Sequence, residues 1–253
     1  MNTPSRVFLL QLSRRWPGAP RLGAPRLGAG ALTPALSARL APAPHCHSYS
    51  SGVKVRSYLR YLKSKIVAPP CPPYSHVCQV GDPVLRLHAA AVDPELIAGP
   101  EVQRVVATLV KVMRKLECVG MSAPQIGIPL RILALEYPDT MLQQSSPASR
   151  ELRGLSVQPL RVFINPQLRV LDKQTALFQE ACESISGFSA AVPRYLSVEV
   201  SGLNQKGEAV KWRAAGWPAR ILQHEMDHLD GVLYIDRMDS KTFLNISWPE
   251  HNE

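Results

Sequence analysis

The chain has 253 residues, of which 45% are hydrophobic and 19% are charged, a composition typical of a globular protein with one large domain or one domain plus extensions. Its formal net charge of +9 is concentrated at the amino terminus, because residues 1–81 contain eight Arg and three Lys but no Asp or Glu. The remaining residues have a net charge of −2, which argues against a nucleic-acid-binding module. The five Cys include no Cys-x-x-Cys pair, so no disulfide framework is indicated.

Residues 1–60 are rich in Arg, Ser, Ala and Leu, the composition of a mitochondrial or plastid transit peptide with a disordered lead-in. The apolar stretch near residues 7–12 ends at Arg14 and Arg15, too soon for a secretory signal or a membrane span. The alternative is a disordered basic tail that binds RNA or acidic lipid. Prolines 69, 70, 72 and 73 indicate an extended linker, and we expect one compact domain within residues 61–253.

Beyond the linker, hydrophobic spacing predicts two helices and four short strands. In chain order these are a helix over 101–117, strands over 132–136 and 161–164, a hairpin of 195–203 and 208–212 joined by a turn at 204–207, and a helix over 219–229. Residues 137–158 contain Ser, Pro and Arg and are predicted to form an exposed insertion. Helices at the two ends of a run of strands indicate an α+β fold.

The last helix contains the strongest chemical signal, the sequence His-Glu-Met-Asp-His at residues 224–228. Two imidazoles four residues apart lie on one helical face and can bind one metal ion, with Glu225 beside it as a proton acceptor. Pro218 suits the first helical turn, and Gly231 suits a left-handed position after the last. The alternative is a core helix with hydrogen-bonded histidines and a solvated Glu225.

A catalytic metal site needs a third protein ligand and an open position. In the metzincin pattern that ligand is a downstream His, but the corresponding residue here is Tyr234. A Glu donor well beyond the helix, the other familiar zincin solution, would have to be Glu250 or Glu253, at the very end of the chain. Cys182 is the better upstream candidate, because a thiolate binds borderline metals such as Zn(II) or Fe(II) well.

Three ordered motifs resemble those of the peptide deformylase family, and the leader resembles that of its mitochondrial branch. They are Val-Gly-Met-Ser-Ala-Pro-Gln-Ile-Gly at 119–127, Glu-Ala-Cys-Glu-Ser at 180–184, and Gln-His-Glu-Met-Asp-His-Leu-Asp-Gly at 223–231. The resemblance covers about residues 65–240. It implies small mixed or antiparallel sheets around a central metal-binding helix, with the 101–117 helix preceding them.

Four residues depart from the usual motifs: Cys118 and Ala181 each replace a Gly, Ser122 replaces an Ala, and Glu183 replaces a Leu. A methyl group at 181 and an acid at 183 would lie beside the substrate. We therefore expect a turnover lower than in bacterial members, but not lost. Cys118 is a further possible ligand, although a small buried residue beside Gly120 is the favoured interpretation.

The resemblance implies a hydrolase that removes the formyl group from the N-terminal formyl-methionine of newly made mitochondrial proteins and releases formate. Cys182, His224 and His228 would hold one divalent ion, Fe(II), Zn(II) or Co(II), with water as the fourth ligand and the nucleophile. Glu225 would be the general base and acid, while Gln125 and the Glu183 N–H would stabilise the oxyanion.

The resemblance also implies that the peptide substrate pairs with a strand edge, with one pocket for the methionine side chain. Candidate substrate-binding residues are Val119, Gly120, Gln125, Glu180, Trp217 and Ile221. Of these, Val119, Trp217 and Ile221 could equally be ordinary residues of the hydrophobic core. Glu180 either accepts a hydrogen bond from the backbone near the site or only solvates a loop. A matrix location and a homodimer would follow from the same resemblance. The short apolar stretch and the charge balance of −2 beyond residue 81 predict no membrane span and no nucleic-acid partner for the folded domain.

Three other functions remain open at this point. A zincin-like endopeptidase would cleave unformylated peptides, but this chain lacks the downstream third ligand that such an enzyme uses. A basic module for mitochondrial RNA would need positive charge on the folded part, which is absent. A catalytically weak relative acting as a binding protein would bind metal without hydrolysis.

Overall fold

The structure is a computed structural model that describes residues 71–251; the predicted transit peptide lies outside this range. It is an α+β fold, as the sequence predicts. Its helices are α1 (Pro100–Lys115), α2 (Asp139–Gln144), α3 (Pro147–Arg153) and α4 (Trp217–Leu229). Its strands are β1 (Gly120–Ser122), β2 (Ile132–Tyr137), β3 (Gln158–Val170), β4 (Thr175–Ala181), β5 (Phe188–Tyr195), β6 (Ser197–Leu203), β7 (Ala209–Ala215) and β8 (Leu244–Asn245).

The strands form two antiparallel sheets. The first has five strands in the order β1-β2-β3-β6-β7, and the second has three in the order β4-β5-β8. The predicted 195–212 hairpin is confirmed as the β6–β7 pair, in which Leu203 faces Ala209 across the turn. Its first strand begins at Ser197, however, because Tyr195 ends β5.

The five-stranded sheet is covered on both faces along β2 and β3. Val105, Leu109 and Met113 of α1 pack with Ile132 and Ile164 on one face. On the other face α4 packs with the alternate residues of β2, β3 and β6: Leu133, Leu135, Phe163 and Val198. The amphipathic pattern that predicts α1 is therefore its core face. The burial of α4 by the sheet places one side of this helix in the core and leaves the other side for the site.

The predicted insertion contains the two short helices α2 and α3. Pro138 directly precedes α2, and Pro147 is the first residue of α3. Ser146 is the N-cap of α3, with its hydroxyl accepting from the Ser149 N–H at 3.2 Å. Leu152 in α3 is 71% exposed, which agrees with the prediction of an exposed segment. Among the described residues, no helix combines the length and apolarity needed to cross a bilayer.

Glu199 on β6 links three neighbouring strands through ion pairs with Arg169, Lys211 and Arg213, each between 2.8 and 3.0 Å. Hydrogen bonds from Lys211 first, and then from Arg169 and Arg213, lower its pKa from 4.5 to about 2. A carboxyl with a lowered pKa stabilises the fold at neutral pH, and this contribution is lost as the pH falls from about 4.5 towards 2.

We therefore expect Glu199→Gln to lower the unfolding midpoint at pH 7 and to behave like the parent chain near pH 2. Thermal unfolding followed by circular dichroism over pH 2 to 7 measures this, with the exposed Glu95→Gln as the matched control. An equal difference from the parent chain at every pH would contradict the assignment.

Candidate metal centre

Helix α4 presents its two histidines on one side. It begins after Gly216 with Pro218 in its first turn, and it ends at Leu229 before Gly231, whose φ of 72° lies in the left-handed region. A Cβ at residue 231 would lie 2.7 Å from the Arg86 carbonyl oxygen, so close packing also requires glycine there. The rings of His224 and His228 lie one turn apart, with centroids 5.0 Å from each other.

Cys182 approaches these rings from the second sheet. It follows β4 directly, in extended backbone, and precedes a short 3-10 turn at Glu183–Ile185. Its Sγ lies 3.2 Å from Nε2 of His228, and one donor atom each from Cys182, His224 and His228 lie within 4.8 Å of one another. No other such cluster occurs within residues 71–251.

The three residues fit a tetrahedral metal ion. Metal–ligand bonds of about 2.0–2.3 Å place neighbouring tetrahedral donors roughly 3.3–3.6 Å apart, the scale of the spacing seen here. One thiol and two imidazoles suit a borderline divalent ion and leave one corner open. Burial, followed by the charges of His224 and Arg194, keeps the pKa of His228 well below its usual range, so its ring is neutral and available as a ligand.

Glu180 orients the first histidine. Its Oε2 lies 3.0 Å from Nδ1 of His224, which leaves Nε2 free to face the centre. Burial alone would raise the pKa of the Glu180 carboxyl, but hydrogen bonds from His224 and Arg194 and the charge of Arg194 outweigh it and hold this pKa well below its usual range. Glu180 is thus a buried, ionised hydrogen-bond acceptor whose partners are the side chains of His224, Arg194 and Arg220, which differs from both alternatives that the sequence leaves open, a bond to backbone or a solvated loop.

Glu225 is 3% exposed, and its Oε2 has no hydrogen-bond partner among the described residues. Burial raises the pKa of its carboxyl to about 7, and the nearby His224 and Ser122 only partly oppose this. A carboxyl that titrates near neutral pH can both accept and return a proton. Its position beside the two histidine ligand candidates suits this role.

The lack of a side chain at Gly120 leaves room for the Glu225 carboxylate. A Cβ at residue 120 would lie 2.6 Å from Glu225 Oε1 and 2.6 Å from Ile221 Cγ2, closer than packed atoms approach.

We expect Gly120→Ala to displace the Glu225 carboxylate and lower kcat by about 100-fold, since misplacing a reacting group by about 1 Å has that scale of effect. Steady-state kinetics tests this, with metal content and unfolding midpoint measured on the same sample. An alanine variant with the kcat of the parent chain would contradict it.

Gln125 lies in a 3-10 turn at Ala123–Ile126 that follows β1. Its Oε1 accepts from the Ser122 N–H at 2.9 Å, which directs the amide NH₂ towards the centre. Nε2 lies 3.3 Å from Ser184 Oγ and 3.6 Å from Cys182 Sγ. The N–H of Glu183 is at the first position of its own turn, where a helix supplies no internal acceptor. Both predicted oxyanion donors therefore adjoin Cys182.

A cavity of about 70 Å³ opens beside Cys182 and His224, two of the three candidate ligands. All six predicted substrate-binding residues line it: Val119, Gly120, Gln125, Glu180, Trp217 and Ile221. Arg220 also lines it, a residue that the sequence analysis missed although it lies one turn before His224. A larger cavity of about 260 Å³ adjoins the first and shares Val119, Ala181, Cys182 and Glu183 with it.

The other candidate ligands lie elsewhere. Tyr234 stacks its ring on His224, with centroids 6.4 Å apart. Cys118 is half-buried, lines the larger cavity, and donates its thiol to the Met113 carbonyl at 3.5 Å. Glu250 lies in the exposed carboxyl-terminal turn, and Glu253 lies outside the described residues.

A thiol, two imidazoles, a proton acceptor and an adjoining pocket form the kind of site that mononuclear metal-dependent hydrolases use.

Residues 74–243 match the sequence profile of the family described as polypeptide deformylase. The mitochondrial peptide deformylase of Homo sapiens is 54% identical over 198 residues, which cover 78% of this chain and 82% of that protein. Peptide deformylase 1A, chloroplastic/mitochondrial, of Arabidopsis thaliana is 45% identical, over 66% of this chain and 62% of that one. The chain belongs to the peptide deformylase family.

The fold agrees with this assignment. The crystal structure of a class I type b peptide deformylase from Acinetobacter baumannii with bound Met-Ala-Ser superposes with a TM-score of 0.57 at 28% identity. The match covers 68% of this chain and 99% of that one. The predicted family and its α+β architecture are both confirmed.

Proposed function

We propose that this chain hydrolyses the formyl group from the N-terminal formyl-methionine of newly made mitochondrial proteins, with Cys182, His224 and His228 holding one divalent ion. The observation that supports this most directly is the convergence of one thiol and two imidazoles from separate elements beside a buried carboxylate. Membership of the peptide deformylase family supplies the reaction, which is hydrolysis of the formyl-methionine amide.

A divalent metal, when bound, supplies a Lewis acid that polarises the formyl carbonyl and activates water. Glu225 accepts one proton from the attacking water as the new C–O bond forms on the formyl carbon. The Gln125 amide and the Glu183 N–H donate to the carbonyl oxygen where negative charge develops. Glu225 then returns the proton to the departing nitrogen, the C–N bond breaks, and formate and a free amino terminus leave.

The strand edges indicate how the peptide lies. β1 and β4 are edge strands of different sheets, and Gly120 of β1 and Ala181 of β4 line the same small cavity. An extended peptide between them would form main-chain hydrogen bonds with either strand edge. This mode of binding does not depend on the side chains of the peptide. The methionine side chain would occupy the cavity between Val119, Trp217 and Ile221, and the following residues would extend into the larger cavity.

The mitochondrial matrix is the proposed location. The support is the acid-free composition of residues 1–60 together with the human relative, which is named as mitochondrial. Fe(II), Zn(II) and Co(II) all suit a Cys-His-His set, and we propose one of these three as the resident ion. The homodimer stays a prediction.

Release of formate from formyl-Met-Ala-Ser tests the function. We expect the full chain, loaded with Fe(II), Co(II) or Zn(II), to release formate with multiple turnovers and to leave acetyl-Met-Ala-Ser intact. Absence of formate with all three metals at saturating peptide would refute deformylation. Cleavage of internal bonds in unformylated peptides would instead favour an endopeptidase.

A further inference from the structure

The two elements that contain the candidate ligands face each other across a buried layer of charge. Glu180 of β4 and Arg194 of β5 point from the second sheet towards Asp227 of α4, and each of these three side chains is at most 9% exposed. Burying such charges is costly unless each one is paired and hydrogen-bonded. The ion pairs and hydrogen bonds among these three side chains therefore indicate the role of the buried charged layer.

Arg194 uses all three guanidinium nitrogens on two carboxylates. Its Nε and Nη2 donate to the two oxygens of Glu180 at 3.0 and 2.9 Å, and its Nη1 donates to Asp227 Oδ2 at 2.5 Å. Glu180 precedes Cys182 by two residues, and Asp227 directly precedes His228. One side chain thus ties the strand that leads to the thiol to the helix that contains the imidazoles.

We propose that Arg194 is a positioning residue for the metal centre: it sets the distance between Cys182 and the two histidines. This inference rests on the proposed function, because it assumes that these three residues hold the ion. Arg194 also acts on His224 indirectly, since Glu180 Oε2 accepts from Arg194 Nη2 and lies 3.0 Å from Nδ1 of His224. That contact fixes the ring orientation and leaves Nε2 for the metal.

Neither neighbouring arginine bonds both carboxylates. Arg220 is a residue of α4 and gives the helix a second link to the second sheet, because its Nη1 donates to Glu180 Oε1 at 2.7 Å and its other bonds go to the carbonyl oxygens of Val192 and Ala176, but it does not bond Asp227. Arg237 Nε donates to Asp227 Oδ2 at 2.8 Å, the same oxygen that accepts from Arg194. Among the described residues, Arg194 is therefore the arginine that bonds a carboxylate on each of the two ligand-bearing elements.

Arg194→Lys tests the proposal, because a single ammonium group cannot replace a planar fork that bonds two carboxylates at once. We expect the full-length variant to bind Co(II) about 10–100-fold more weakly than the parent chain, the usual effect of losing a ligand-orienting partner. We also expect its Co(II) ligand-field absorption bands to shift. Competition with a chromophoric chelator and absorption spectroscopy measure both, at a temperature well below the unfolding midpoint.

The spectrum separates positioning from general stabilisation. A contact that only stabilises the fold would lower the unfolding midpoint and leave the Co(II) affinity and bands of the folded protein unchanged. Arg213→Lys is the matched control, since it alters a surface ion pair with Glu199 and should change neither metal readout.

A second variant decides the matter if Arg194→Lys does not fold. Asp227→Asn keeps the shape of the side chain and one acceptor oxygen, and it should weaken Co(II) binding and shift the bands in the same direction but less. A folded Arg194→Lys or Asp227→Asn protein with the parent spectrum and an affinity within about twofold would overturn the proposal. If the parent chain still binds Co(II) through its thiolate and releases formate, that result leaves the proposed function intact. A parent chain that does neither would refute the function itself.

Discussion

Glu225→Gln is expected to lower kcat by about 100- to 10,000-fold while metal binding is retained, because the amide cannot accept and return the proton of the attacking water. The side chains have nearly the same shape, so the ligands on either side of Glu225 should keep their positions. The Glu225 carboxyl is buried, with one oxygen that has no partner among the described residues. We therefore expect an unfolding midpoint equal to or above that of the parent chain.

Formate release, metal content and thermal unfolding of the full-length variant check this prediction together. Glu95→Gln, which removes an exposed carboxylate from the same chain, is the control and should match the parent in all three. A Glu225→Gln protein that kept more than about a tenth of the parent kcat would show that another group transfers the proton.

Cys182→Ser is expected to abolish turnover through loss of the ion. A serine hydroxyl is a much poorer ligand for borderline metals than a thiolate, and it is not ionised at neutral pH. The affinity should fall by more than the roughly 10–100-fold that loss of an orienting partner costs. In the Co(II) protein, the sulfur-to-metal charge-transfer absorption should disappear.

Cys71→Ser is the matched control, because Cys71 is exposed. It should retain both the charge-transfer band and the activity. Retention of that band by the Cys182→Ser protein, or metal affinity within about tenfold of the parent, would remove Cys182 from the ligand set.

Local patterns were sufficient for the elements whose apolar residues face the core. The spacing of Val105, Leu109 and Met113 predicts α1, and the structure begins that helix one residue earlier, at Pro100, and ends it two earlier, at Lys115. The β6–β7 hairpin was predicted for the same reason, since Val198 and Val200 alternate inward and Gly207 with a φ of 80° closes the turn.

Strands β4 and β5 were missed because their burial reverses the usual pattern. On β4, Glu180 points into the protein and is 4% exposed, whereas Leu177 points outward and is 55% exposed. On β5, Arg194 is 4% exposed. A strand prediction based on alternating apolar and polar residues assigns such residues to the wrong face of the sheet or to a loop. The charges are tolerated inside because α4 supplies Asp227 and His224 as partners, which only the packed structure shows.

The sequence by itself determined the family, the α+β class, and the residue types of the site, because these are encoded in short motifs and in local helix and strand periodicity. Only the tertiary structure brought Cys182 within 3.2 Å of His228, placed Gly120 under Glu225, and paired Arg194 with carboxylates on two elements. Those contacts join residues 14 to 105 positions apart in the chain. They depend on how a helix packs against two sheets, and no local pattern contains that information.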